Sequence, residues 1–257
     1  MNIIVQIYVL ISAAALVTTN ACAAAIPVAE YTFNHNLSSS VAGGPALVAV
    51  DPLGQSGFRT DTVFGAQRTV YDFIGAPQAN QQAGLALNVA GLISDANTYT
   101  VEMQFLFTQR DGQYRRILDV ANRRSDNGFY VDIHNTLQVF PLAGGSLFTN
   151  GTYHDVVLSN NNGAVTWYLD GSQNTVNTSV MDISSANMLN FFLDNSVGPG
   201  IGEYSSGSVA LIRVFNEALT AQQVALLPAT SVPEPTSLAL LATGLLVLAT
   251  ARRRRCA

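Results

Sequence analysis

Lysine is absent from the 257 residues, and cysteine occurs twice, at Cys22 and Cys256, inside the two ends of the chain. The stretch between them has no thiols, which excludes a disulfide framework, thiolate metal sites and a cysteine nucleophile there. Histidine is scarce. His35, His134 and His154 stand far apart, with no His-x-His or His-Glu-x-x-His spacing to suggest a metal site. Charged residues make up only 11%. Four of the 12 basic residues are the terminal Arg252, Arg253, Arg254 and Arg255, so eight arginines face 17 carboxylates in the rest of the chain. That acidic balance argues against a nucleic-acid partner. Five of the eight cluster as Arg110, Arg115, Arg116, Arg123 and Arg124, interleaved with Asp111, Asp119 and Asp126. The alternation in sign predicts a solvated, self-paired face, the other reading being an anionic partner.

Both ends are apolar. Residues 3–17 are broken only by Gln6 and Ser12, and small residues follow at 21–25. This predicts a secretory signal peptide over residues 1–25, although no basic residue precedes the apolar run. At the other end Val232-Pro233-Glu234-Pro235 leads into an uncharged stretch, 236–251, and then the four arginines. A helix over 236–251 would cover roughly 24 Å, short of the hydrocarbon core of about 30 Å. The arginines would stay cytoplasmic and place the preceding domain outside, while Pro233 and Pro235 keep the chain extended just outside the membrane. This order resembles the PEP-CTERM sorting signal of Gram-negative bacteria that make exopolysaccharide. The resemblance implies a transient inner-membrane anchor at 231–257, cut by an exosortase, followed by release or attachment at the cell surface.

Between the ends, residues 26–230 amount to about one domain, and its pattern is that of strands. Tyr99, Val101, Met103, Phe105 and Phe107 alternate along one face of a strand. Further strands are predicted over 116–120, 129–133, 137–140, 153–159 and 165–169. Turn chemistry separates them at Asp111-Gly112, Asp126-Asn127-Gly128, Asn161-Asn162-Gly163 and Asp170-Gly171. Many short antiparallel strands at this spacing predict an all-β, two-sheet sandwich or jelly roll. The one helix expected is 220–227, with Thr220 as N-cap and Gln223 in the capping-box position.

The motifs Tyr31-Thr32-Phe33-Asn34, Tyr99 to Phe107, Gly151-Thr152-Tyr153-His154-Asp155, Tyr168-Leu169-Asp170-Gly171 and Ile212-Arg213-Val214-Phe215 fall in an order that resembles the laminin G-like jelly-roll domains of the concanavalin A-like lectin and glucanase superfamily. The resemblance implies a sandwich over 26–230 with lectin-like binding or glucanase activity. Relatives often carry an Asp-Glu pair where this chain has Ala210-Leu211, and an Asp-Gly pair where it has Asn34-His35-Asn36. Those acidic positions often serve calcium, which needs several oxygens at one place. Calcium is therefore doubtful and no cofactor is expected; Asp51, Asp194 and Asn195 are the other oxygen donors, read more simply as solvated loop residues.

Glucanases on this fold present clustered carboxylates that act as acid and nucleophile. No Glu-x-Asp or Glu-x-x-Glu stretch occurs here: Glu102 stands alone on its strand, and Glu203 and Glu217 lie near turns. A pair assembled from distant segments stays open. Gly-x-Ser-x-Gly is absent, and Gly198-Pro199-Gly200-Ile201-Gly202 reads as a surface loop. Aromatic rings are then the candidates for stacking on sugar. Trp167 shares a strand face with Val165 and Leu169 and is expected in the core; Tyr168, Tyr204 and Tyr153 are the exposed candidates. The expectation is an exported, non-catalytic surface or matrix protein that binds glycan or another envelope component. The alternatives are a structural, adhesive matrix protein and a polysaccharide hydrolase.

Overall fold

The computed structural model describes residues 23–108, 112–142 and 144–227. Residues 1–22 of the expected signal peptide, the sorting motif, the apolar segment 236–251, Arg110 and Asp111 lie outside the described residues. In chain order the first strands are β1 (Ala29–Tyr31), β2 (Val48–Val50), β3 (Gly57–Val63), β4 (Ala66–Phe73) and β5 (Gly84–Asn88). Next come β6 (Thr98–Phe107), β7 (Arg115–Asp119), β8 (Gly128–Val131), β9 (Thr136–Phe140) and β10 (Gly144–Leu147). The chain continues through β11 (His154–Asn161), β12 (Ala164–Leu169), β13 (Ser172–Asn177), β14 (Met188–Phe191) and β15 (Gly207–Phe215) to α1 (Ala221–Ala225).

The strands form two antiparallel sheets. One runs β13-β12-β11-β6-β15-β4-β3, with β1 also paired to β15; the other runs β10-β9-β8-β7-β14-β5-β2. Hairpin neighbours such as β11-β12-β13, β3-β4 and β7 to β10 alternate with long crossovers such as β6-β15, β15-β4 and β7-β14, as in a jelly roll. Each sheet buries one face against the other. From β6 the alternating Tyr99, Val101, Met103, Phe105 and Phe107 enter a shared core with Ile117, Phe129, Val139, Leu189 and Phe191 of the second sheet. Phe73 stacks on Phe192 at 4.2 Å between ring centres. Trp167 is buried near Phe129, as its strand face predicts, and truncating it to alanine would cost about 3–5 kcal/mol through lost transfer energy and a cavity.

Two-residue turns close three hairpins. Asn162-Gly163, Asp170-Gly171 and Phe64-Gly65 each take φ values near +50° and +84° and join strands paired without a slip, the type I′ geometry that matches strand twist. The predicted capping box is present: Thr220 accepts from Gln223 N, and the Gln223 side chain reaches back to the Thr220 N–H.

Several boundaries differ from expectation. The first strand ends at Tyr31 because Phe33 and His35 turn to φ 55°. The strand expected to reach Ile133 stops at Val131, because Asp132 Oδ1 accepts the amides of His134 and Thr136 and folds a turn. Strands β2 to β5 arise between residues 48 and 88, where the pattern reading assigns none. Among the described residues no helix is long and apolar enough to cross a membrane.

Candidate functional site

The outer face of the eight-stranded sheet, turned away from the second sheet, is polar at its centre. Register sets Glu30, Arg213 and Glu102 side by side across β1, β15 and β6. Arg213 Nε donates to Glu30 Oε2 at 2.6 Å, and its Nη1 lies 3.2 Å from Glu102 Oε2. Glu102 is 0% exposed. Burial pushes its carboxyl well above the ordinary range, Asp155 on β11 adds to the rise, and Arg213 opposes it. Glu102, alone on its strand in sequence, is thus locked against an arginine and withdrawn from solvent.

Towards the end of this face, the β3–β4 hairpin and the residues preceding β11 enclose an open cavity of about 300 Å³. Asp61, Thr62 and Phe64 line it from the hairpin, Leu106 from β6, and Thr152 and Tyr153 from the approach to β11. Tyr153 Oη donates to Asp61 Oδ2 at 2.9 Å, and Arg59 Nη2 pairs with the same oxygen at 2.8 Å. Burial pushes the Asp61 carboxyl up, but Arg59, Tyr153 and the Thr62 amide outweigh it and hold the group below its ordinary value. Asp61 is therefore an ionised acceptor at neutral pH.

The second sheet carries a different constellation. Arg116 on β7 is fully buried, its guanidinium 2.8 Å from Asp119 Oδ2, 3.2 Å from Asp194 Oδ1 and 3.9 Å from Asp126 Oδ1. It also donates to the carbonyls of Ser125 and Asp126, and it lies 4.5 Å from the Tyr130 ring centre. Arg123 joins through Asp119, the Asp194 carbonyl and Gln82. Within the cluster Arg116 pairs with carboxylates, whereas Arg115 donates to Asn150 and Asn135 and the Arg123 guanidinium to the Asp194 carbonyl and Gln82; Arg115, Arg116, Asp119 and Asp194 are buried where a solvated face was expected. The reason is tertiary: the segments following β7 and β14 close over the sheet and bring Asp194 onto Arg116.

Three carboxylates from these segments, Asp126, Asp194 and Glu203, have oxygens within 4.8 Å of one another. Burial, then Asp126 and Asp194, push the Glu203 carboxyl up to about 8. Calcium would need six to eight oxygens facing one point. Here Asp194 Oδ1 faces Arg116, and Oδ2 accepts the amides of Gly202 and Glu203 at 2.9 Å each. The guanidinium supplies the positive charge that an ion would bring, so this donor set does not fit calcium. The closing-strand positions are no better suited, since Ala210 and Leu211 are buried and apolar. Asp51 is spent on the amides of Gln55 and Ser56.

The three tyrosines expected to be exposed are not. Tyr168, Tyr204 and Tyr153 retain 6%, 2% and 8% of their surface. Tyr204 is drawn in by the Gly75 amide, which donates to its hydroxyl, and by Ser206 at 2.7 Å. Tyr153 belongs to a small apolar cluster with Val63, Val70, Leu106 and Ala210. Only Tyr153 of the three lines a described cavity, beside Asp61 and Phe64, which the sequence reading omits. The signal for them is Phe64-Gly65 set between two alternating runs.

Residues 79–225 match the concanavalin A-like lectin/glucanases superfamily, and residues 231–255 match the PEP-CTERM protein-sorting motif. The fold is similar to domain 4 of AbnA, a GH43 extracellular arabinanase from Geobacillus stearothermophilus solved with arabinotriose, at a TM-score of 0.57 and 20% identity, covering 79% of this chain and 98% of that one. It is also similar to the binding domain of botulinum neurotoxin DC solved with rat synaptotagmin II, at a TM-score of 0.53 and 10% identity, covering 78% of this chain and about half, 51%, of that one. At such identities the likeness concerns the fold alone. The chain has no match among curated proteins. With two antiparallel sheets around one core, and a family match over more than half its length, this chain belongs to the concanavalin A-like lectin/glucanase superfamily and carries a PEP-CTERM sorting motif at its C-terminal end.

Proposed function

We propose that the protein is an exported, non-catalytic component of the cell surface or extracellular matrix that binds glycan through its jelly roll. An exosortase processes its tail, after the segment 236–251 has held it transiently in the inner membrane. The sorting motif supports export, and the lectin/glucanase fold, shared with a domain solved with arabinotriose, supports a saccharide ligand.

The observation that carries binding over catalysis is the state of the assembled carboxylates. A glycosidase keeps its two carboxyl groups about 5 Å or more apart, with the scissile bond between them. Asp126, Asp194 and Glu203 bring oxygens within 4.8 Å of one another, Asp126 lies 3.9 Å from the Arg116 guanidinium, and Asp194 is buried against it at 3.2 Å. Two of the three carboxylates are thus turned to a buried guanidinium rather than to a substrate, which favours a structural ion cluster over a catalytic pair. A hydrolase is the second reading, favoured by one feature: a Glu203 that stays protonated to about pH 8 beside Asp126 resembles a general acid.

A pull-down of the exported protein on immobilised exopolysaccharide tests the proposal, together with mass spectrometry of its C-terminus. Retention on the polysaccharide and a mature chain lacking Arg252 to Arg255 are expected. Failure to be retained would favour a structural, adhesive role; an intact tail in a host possessing exosortase would make the segment an ordinary anchor.

A further inference from the structure

Three phenylalanines adopt positive φ: Phe33 at 55°, Phe64 at 48° and Phe192 at 63°. The left-handed region is unfavourable for a bulky residue, because Cβ crowds the carbonyl oxygen. Phe33 and Phe192 are compensated by burial, Phe33 near Tyr71 and Phe192 on Phe73. Phe64 is 41% exposed at the tip of a hairpin, where Asn, Asp or Gly is the unstrained choice. A strained apolar ring left in solvent points to use rather than to folding.

That ring borders the cavity of about 300 Å³ already described, at the small end of the range for ligand sites. The cavity's apolar wall is fixed, since Leu106 and Tyr153 are packed with Val63, Val70 and Ala210. Its acceptor is fixed too. Asp61 is held by Tyr153 and Arg59, and Arg59 is held in turn by Asp72 at 2.6 Å and Ser208 at 3.0 Å. Asp61 Oδ1 accepts one amide, from Thr62, which leaves a lone pair for a further donor among the described contacts. Thr152 lines the same space from the opposite side. A ring beside converging oxygen groups is what a sugar needs, because its C–H face is apolar and its rim is hydroxyl. The guanidinium beside this acceptor, Arg59, is already paired with both Asp61 and Asp72, so the wall offers a hydroxyl acceptor rather than a free cation for a carboxylated sugar. The second described cavity, of about 380 Å³, is lined by Asn97, Asn162, Asn177 and Asp182 and has no ring.

We infer that the cavity between the β3–β4 hairpin and β11 is a subsite for a neutral saccharide, with Phe64 as the stacking face and Asp61 as the hydroxyl acceptor. This rests on the glycan-binding reading above and gives it a place on the molecule. The test titrates the full chain with arabinotriose and cellotriose as neutral probes and trigalacturonic acid as the anionic one. Two variants are compared with wild type, Phe64→Asn and, at the second cavity, Asn177→Ala. Phe64→Asn suits the turn, so thermal unfolding confirms that it folds. The expected result is saturable binding of a neutral trisaccharide, weakened roughly tenfold or more by Phe64→Asn, the size of one aromatic contact, and unchanged by Asn177→Ala. Undiminished binding by a folded Phe64→Asn overturns the site but leaves the glycan reading standing. Binding of the anionic probe alone overturns the neutral class. If wild type binds no probe in the set, and no exopolysaccharide from its own host, the glycan reading fails and the subsite with it.

Discussion

The Tyr153 hydroxyl donates to Asp61 Oδ2 at 2.9 Å, tying the start of β11 to a hairpin 92 residues earlier in the chain. Tyr153→Phe removes that donor while the ring stays packed on Leu106 and Ala210. Asp61 keeps Arg59 and some access to water, so the loss is that of one ordinary hydrogen bond, about 1 kcal/mol. Urea denaturation should show a lower midpoint with an unchanged slope. An unchanged midpoint would mean that water replaces the hydroxyl without penalty.

Phe64→Asn should act in the opposite direction. Asparagine tolerates the left-handed first position of a type I′ turn, so relief of strain should raise stability by about 1 kcal/mol. Thermal unfolding checks this. A fall in the midpoint would show that the ring contributes more by packing than the backbone loses by strain.

How far the sequence reveals these features depends on the range of the interaction. The period-two run of β6, the Asn162-Gly163 and Asp170-Gly171 turns, the core position of Trp167 and the Thr220 capping box are local, and each appears as read. The β3–β4 hairpin escapes because phenylalanine stands where asparagine or aspartate would announce the turn. The tyrosine exposures fail for another reason. Alternation gives the side of a sheet, but burial on the outer side depends on segments such as Gly75 and Ser206, which fold over Tyr204. The arginine cluster shows its carboxylates locally at Asp119 and Asp126, whereas the partner that shuts it from water, Asp194, lies far along the chain.

Arg116→Met should be severely destabilising, by about 3–5 kcal/mol, because it leaves Asp119 and Asp194 buried without their cation. Arg116→Lys should recover only part of this, since an ammonium cannot bridge the carboxylates and the Ser125 and Asp126 carbonyls in one plane. Equilibrium unfolding of the two variants separates charge from geometry. Full recovery by lysine would reduce the site to a point charge.

Stability should decline between about pH 5 and about pH 9. Glu203 has its folded pKa raised from 4.5 to about 8, so the native state keeps a proton that the unfolded chain has released. Its contribution is full below about pH 4.5 and is lost as the pH rises through 8. Glu102 and Asp155, also raised by burial, act with the same sign. Urea midpoints for wild type and Glu203→Gln, measured at about pH 5 and about pH 9, check the direction. The decline should be shallower in the variant; equal slopes would place the proton elsewhere.

The central claim, binding without cleavage, is tested most directly by titrating the exported protein calorimetrically with the soluble exopolysaccharide of its own host while reducing ends are counted in the same sample. The account predicts saturable heat with no increase in reducing ends over the buffer control. Reducing ends that accumulate with wild type and vanish with Glu203→Gln would contradict it.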